Sequence, residues 1–237
     1  MILKIFSICQ CILVTTAMSH TPEINFSQSI IDNGHHSNVL YSLQFDSNSN
    51  SLKDHCTLCL HQVLPSSVYV NSDQLNELRR LNQLSACALE QVDIEKPEHL
   101  SKELNVYVYS SINDAISLNL PIHLRYHSAK VDGGYEKINI PKPSLFIYCN
   151  ITTKEDTKNY LLPCSACDIK QCNWSKYSYN EITHSPNVLK MPVGNLQHYY
   201  IVLIITLLTT CLGCVYISTL VLRTCSNNKN NIKSKKK

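Results

Sequence analysis

LPIHLRYHSAKVDGGYEKINIPKPSLFIYC, residues Leu120–Cys149, is the stretch on which the fold turns. Ile122–Tyr126, Tyr135–Ile140 and Leu145–Cys149 alternate in the period-two pattern of half-buried strands. Gly133-Gly134 and Pro141-Lys142-Pro143 separate them with turn-forming residues. Working outward, the β-branched and aromatic runs Ser67–Val70 and Val106–Tyr109 predict two more strands. Between those two, Asn71-Ser72-Asp73 offers an N-cap, and Leu75, Leu78, Leu81 and Leu84 recur at helical spacing, which predicts one short helix over Asp73–Leu84. Several short strands at this spacing predict a mainly β, antiparallel, sandwich-like domain over residues 56–150.

The ends of the chain suggest where that domain sits. Lys4 followed by the apolar run Ile5–Val14, with small residues at Ala17 and Ser19, reads as a signal peptide over 1–19. Ile201–Leu222 is 22 residues long with no charge and no proline, enough to cross ~30 Å of hydrocarbon as a helix. Tyr199 and Tyr200 stand where an interfacial aromatic anchor belongs. The tail, 223–237, carries six cations and no acid, which predicts a cytosolic C-terminus and a single-pass type I topology. Within the tail, Lys233 and Lys235 fall at −5 and −3 from the carboxyl end, the spacing of a dilysine endoplasmic-reticulum retrieval signal. Residues 20–55 read as a polar leader with a low-complexity patch at Asp46–Ser51, and 151–200 as a cysteine-bearing stalk.

The formal charge of +3 belongs to the tail. Without the tail and Lys4, 14 basic residues face 18 acidic ones, so the folded part offers no basic footprint for nucleic acid. Seven cysteines are expected in an oxidising lumen: Cys56, Cys59, Cys87, Cys149, Cys164, Cys167 and Cys172. An odd number leaves one thiol over, and the connectivity stays open. The CxxC pairs Cys56–Cys59 and Cys164–Cys167 admit three readings: structural disulfides, zinc knuckles or a redox centre. The wide separation of the two pairs and the absence of a helix opening on either favour the structural one. Asn25, Asn150 and Asn173 begin N-x-S/T sequons and are candidate glycan sites.

No nucleophile elbow, phosphate loop or dinucleotide fingerprint is present, and no catalytic residue, cofactor or metal ligand is assigned. His123, Arg125 and His127 would share one face of a strand, with Leu124 and Tyr126 on the other. That row could bind a metal or an anionic headgroup. A polar, solvent-facing edge is the favoured reading, because Pro121 and Leu124 deny it the helix and the acid of an HExxH site. In the apolar helix, Thr206, Thr210, Cys214 and Ser218 repeat every four residues, with Gly213 alongside; small residues at this spacing let a second helix approach closely.

Leu120–Cys149, with LPSSVYVN (Leu64–Asn71) and DIEKPEHLSKELNVYVY (Asp93–Tyr109), resembles the luminal domain of the PIG-X family over Leu64 to about Asn150. The resemblance implies a non-catalytic, stabilising subunit of the endoplasmic-reticulum mannosyltransferase that adds the first mannose, from dolichol-phosphate-mannose, to the glycosylphosphatidylinositol (GPI) precursor. Its implied partner is a PIG-M-like catalytic subunit. Two rival functions stay open at this point: a type I cell-surface receptor or cargo-binding module, and a luminal thiol oxidoreductase built on the CxxC pairs.

Overall fold

A computed structural model describes residues 23–31, 34–46, 56–149, 159–182 and 187–234, with side chains to 225. The expected signal peptide lies outside these residues. Strand β1 (Ile24–Ile31) and β2 (His36–Phe45) form a hairpin at the N-terminal edge of the domain. They correct the reading of 20–55 as a polar leader. Ile24 and Phe26, then Val39, Tyr41, Leu43 and Phe45, point inward and are buried. Asn25, Ser27, Asn38, Ser42 and Gln44 fill the alternate positions, so average polarity masks a mainly apolar inward face in each strand, on which Gln28 and Ser37 are the buried polar exceptions.

The chain continues through β3 (Cys56–Leu64), β4 (Val68–Tyr69), helix α1 (Ser72–Arg80) and β5 (Ser85–Ala88). Next come β6 (Leu104–Ser111), β7 (Ala115–Leu124), β8 (Gly134–Asn139) and β9 (Ser144–Cys149). β10 (Asn159–Pro163), β11 (Gln171–Tyr177), β12 (Asn180–Glu181) and β13 (Val188–Val193) follow, and α2 (Tyr199–Ser234) ends the described chain. One sheet orders its five strands β12-β1-β2-β7-β4, and a second orders six as β10-β11-β9-β3-β6-β5. Except for the parallel β1–β12 contact, neighbours within the sheets are antiparallel. A separate pair, β8 with β13, is antiparallel as well. The mainly β, antiparallel fold expected from the sequence is the fold observed.

The two large sheets share one core. Phe26, Leu43 and Leu120 come from the first, and Leu60, Val106 and Leu145 from the second. A polar tie crosses that core: the buried Tyr41 hydroxyl donates to Gln62 Oε1 at 2.8 Å, and Gln62 Nε2 donates to Pro141 O at 2.8 Å. Burial pushes the Tyr41 phenol above its ordinary pKa, so it stays a neutral donor.

The helix is shorter than Asp73–Leu84. Asn71 caps its start, its side chain accepting from Asp73 N at 2.9 Å. At the other end, Asn82 takes φ 55°, Gln83 N reaches back to Leu78 O and Asn82 N to Arg79 O. This is a Schellman stop, with asparagine in the left-handed position glycine usually fills. Leu81 is left exposed, while Leu84 turns back into the core ahead of β5. Nor is the segment 151–200 only a stalk: β10 and β11 extend the six-stranded sheet, and Trp174 is fully buried.

Candidate functional site

The strand expected over Ile122–Tyr126 runs instead from Ala115 to Leu124. Pro121 is tolerated inside it because only β2 pairs there; β4 reaches no further back than His123. His123, Arg125 and His127 therefore do not share one solvent-facing strand edge. His123 stacks on Tyr69, meets His36 edge-on and pairs with Gln74 Oε1 at 2.9 Å. Burial, with His36 adding to it, holds its pKa below the usual histidine value. His127 Nε2 sits 3.0 Å from Ser67 Oγ.

Arg125 departs furthest from the sequence reading, being only 7% exposed. Its Nη1 donates to Asp93 O and Lys96 O, both at 2.7 Å, and the guanidinium lies over the Tyr69 ring. A guanidinium can close two carbonyls at once because its donors form a planar fork. Arg125 thereby ties the loop before the Glu98–Leu100 turn onto the end of β7. A cleft of about 260 Å³ opens beside it, lined by Glu90, Asp93, Glu103, Lys96, Lys102 and Arg125 among others. Three acids balance three bases, so the cleft has no net sign with which to select an anion or a cation. Among the described residues no group of three His, Cys, Asp or Glu side chains is placed to hold a metal.

Six of the seven cysteines are joined, and neither CxxC closes on itself. Cys56 bonds Cys149 across β3 and β9, Cys87 bonds Cys167, and Cys164 bonds Cys172. A two-residue redox disulfide is therefore absent from both CxxC motifs. Cys59, next to Cys56 in the motif, points to the opposite side of the six-stranded sheet, where it packs with Tyr109, Phe146 and Trp174. Burial pushes its thiol up to about 12, so it holds no nucleophilic thiolate at neutral pH. The loop between β10 and β11 folds over this second apolar cluster, held by the two disulfides that end at Cys167 and Cys172. The Tyr109 hydroxyl donates to Pro163 O, and Arg79 donates to Ala166 O, at its margins. The sequence signal for this layer was the Cys172–Trp174 alternation, hidden among polar neighbours.

The remaining candidate residues fall as follows. Asn25 is half-buried on β1, opposite Gln44 and Asn180, and Asn173 is exposed on β11. Asn150 and Lys235 lie outside the described residues, and Lys233 is described in backbone only. Helix α2 is apolar with no buried residue over its membrane-length window. Thr206 and Thr210 turn their hydroxyls back onto Val202 O and Thr206 O, so their polarity is satisfied within the helix. A side chain added at Gly213 would meet nothing within 4 Å. Thr206, Thr210, Gly213, Cys214 and Ser218 thus leave a low strip, its threonine hydroxyls satisfied, on which another helix could close.

The architecture is that of a disulfide-tied β-sandwich carried on one apolar helix long enough to cross a membrane. Residues 32–222 match the PIG-X / PBN1 family, and the chain belongs to that family. The human protein named "GPI alpha-1,4-mannosyltransferase I, stabilizing subunit" is 31% identical over 209 residues, covering 84% of this chain and 79% of the human one. The match reaches well past Leu64–Asn150. It takes in β2, both cysteine-bearing flanks and most of α2, so those flanks are part of the family's domain.

Proposed function

We propose that this chain is the non-catalytic stabilising subunit of a membrane mannosyltransferase that adds the first mannose, from dolichol-phosphate-mannose, to the GPI-anchor precursor. The observation that carries this reading is the 31% identity, over most of both chains, to a human protein whose name denotes a stabilising subunit. The partner is a PIG-M-like catalytic subunit, and the compartment is the endoplasmic-reticulum membrane. Three disulfides suit an oxidising lumen, which supports a type I orientation with the β-domain luminal. The basic tail on the other side of α2 supports the same orientation and, through Lys233 and Lys235, retrieval to the endoplasmic reticulum. A cleaved signal peptide over 1–19 and glycans at Asn25, Asn150 and Asn173 complete the luminal reading.

Contact with the partner runs in part along the Thr206–Ser218 strip. The test is the half-life of the catalytic subunit after translation is blocked, with wild-type chain or with Thr210→Leu plus Cys214→Leu. Both substitutions keep the helix apolar while filling the strip. A shortened half-life and lost co-purification are expected; an unchanged half-life would remove the strip from the interface.

A further inference from the structure

The junction between domain and membrane helix contains no flexible linker. Lys130 bridges Asn195 in parallel register: Lys130 N donates to Gly194 O, and Leu196 N donates to Lys130 O. Gln197 Nε2 donates to Asp132 Oδ1 at 3.4 Å. The turn after Lys130 closes on Gly133, whose φ is +64° and whose missing Cβ would stand 3.1 Å from the Asn195 side chain. Glycine suits both the left-handed backbone and the tight space there, where any side chain would press on Asn195. One tight turn, Leu196–His198, then leads directly into α2 at Tyr199.

This arrangement fixes the height of the 130–133 turn above the membrane. Gln197 stands roughly 7 Å along the helical path from Ile201, the first residue of the uncharged apolar run. The headgroup layer on each side of a bilayer is roughly 5–8 Å thick. The turn is hydrogen-bonded to residues 194–197, so it arrives in that layer whenever α2 spans the bilayer. Its side chains suit the position. Val131 is 62% exposed and Leu196 is exposed on the adjoining turn, while Tyr135, 71% exposed, stands at the start of β8 opposite Pro192. Lys130 pairs with Glu136, and Asp132 Oδ1 accepts from Gln197 Nε2, so both charged side chains of the turn have a partner beside the exposed Val131.

We infer that the Lys130–Tyr135 turn is a second membrane contact: Val131 enters the headgroup–acyl boundary beside Leu196, and Tyr135 sits at its outer rim with Tyr199 and Tyr200. The occupant of this surface is the phospholipid interface, since the turn is continuous with the start of the spanning helix. The contact holds the β-domain in one orientation on the bilayer. The inference rests on α2 spanning the membrane, and the experiment separates the two.

The full chain is reconstituted in phosphatidylcholine bilayers with or without chain-brominated phosphatidylcholine, as wild type, Val131→Trp and Leu212→Trp. Val131 is exposed, so its replacement leaves the core intact. Trp174, the chain's one native tryptophan, gives the baseline. Brominated lipid is expected to remove roughly half of the emission added by Val131→Trp, while soluble acrylamide quenches it weakly, as for interfacial aromatics. Emission at Val131→Trp that brominated lipid leaves unchanged, with Leu212→Trp quenched, would overturn the contact whether the site is open to water or covered by protein. If Leu212→Trp also escapes quenching, the spanning helix fails and the contact falls with it.

Discussion

The six-stranded sheet carries all three disulfides of the described residues, whereas the five-stranded sheet carries none. Both contribute side chains to one core, so the contrast lies in how each is closed. In the six-stranded sheet, β3 and β9 are bonded at Cys56–Cys149, and the outer loop is pinned at Cys87–Cys167 and Cys164–Cys172. The five-stranded sheet has no covalent closure and is held by burial, by its strand ladder and by polar ties such as Tyr41–Gln62 and Lys142–Glu181. Covalent closure acts mainly on the unfolded chain, while burial acts on the folded one. The two sheets should therefore fail differently.

The largest effect is expected at Cys56–Cys149, which closes a separation of 93 residues. Loop entropy puts its removal at about 4–5 kcal/mol, so Cys56→Ser with Cys149→Ser should abolish cooperative unfolding at 37 °C by circular dichroism. Phe26→Ala, in the sheet without disulfides, should cost about 3–5 kcal/mol and lower the denaturant midpoint with all three disulfides still intact by mass spectrometry. If Phe26→Ala were silent, β1 and β2 would not belong to the core and the contrast would collapse. The Cys164–Cys172 pair spans only 8 residues, and its loss should cost about 2–3 kcal/mol, measured by the same denaturation. Tyr41→Phe should cost about 1–3 kcal/mol, because it strands Gln62 Oε1 in the core. The smallest effect concerns pH. Burial and His36 lower the folded-state pKa of His123 below its unfolded value of about 6.5. The unfolded chain then takes up its proton first, so the stability this site contributes is complete above pH 6.5 and declines as pH falls toward the folded-state value. A melting temperature that drops from pH 7.5 to 5.5, with a shallower slope in His123→Gln, is the expected reading.

How much of this was legible depended on which residues a sheet shows to water. Val106–Tyr109 is apolar enough on both faces to be read directly, and Leu145–Cys149, expected as a half-buried alternating strand, turns out buried on both, since the six-stranded sheet packs a cluster on each of its sides there. β1 and β2 escaped because 8 of their 18 residues are Asn, Ser or Gln, and only the alternate set is mainly apolar. Trp174 escaped for the same reason, in a segment rich in Asn, Lys and Ser. Arg125 could not be placed from its spacing to His123 and His127. That spacing assumes an unbroken strand, and β7 ends at Leu124, one residue before it. The cysteine pairings were beyond sequence in principle, because seven cysteines permit many connectivities and only the folded chain selects among them, as where the β3–β9 register sets Cys56 opposite Cys149. The membrane helix was the easiest element to see, as its signal is a run of composition and needs no partner.

On the function proposed above, this chain stabilises a catalytic partner in GPI-anchor assembly and does no chemistry itself. The direct measurement is complementation in cells lacking their own stabilising subunit, with this chain expressed beside its own catalytic partner. Surface GPI-anchored proteins, counted by flow cytometry, should return to near the level of unmodified cells and remain low when the catalytic partner is expressed alone. Surface display that stays at the deficient level with both chains present in the membrane would rule out the stabilising role.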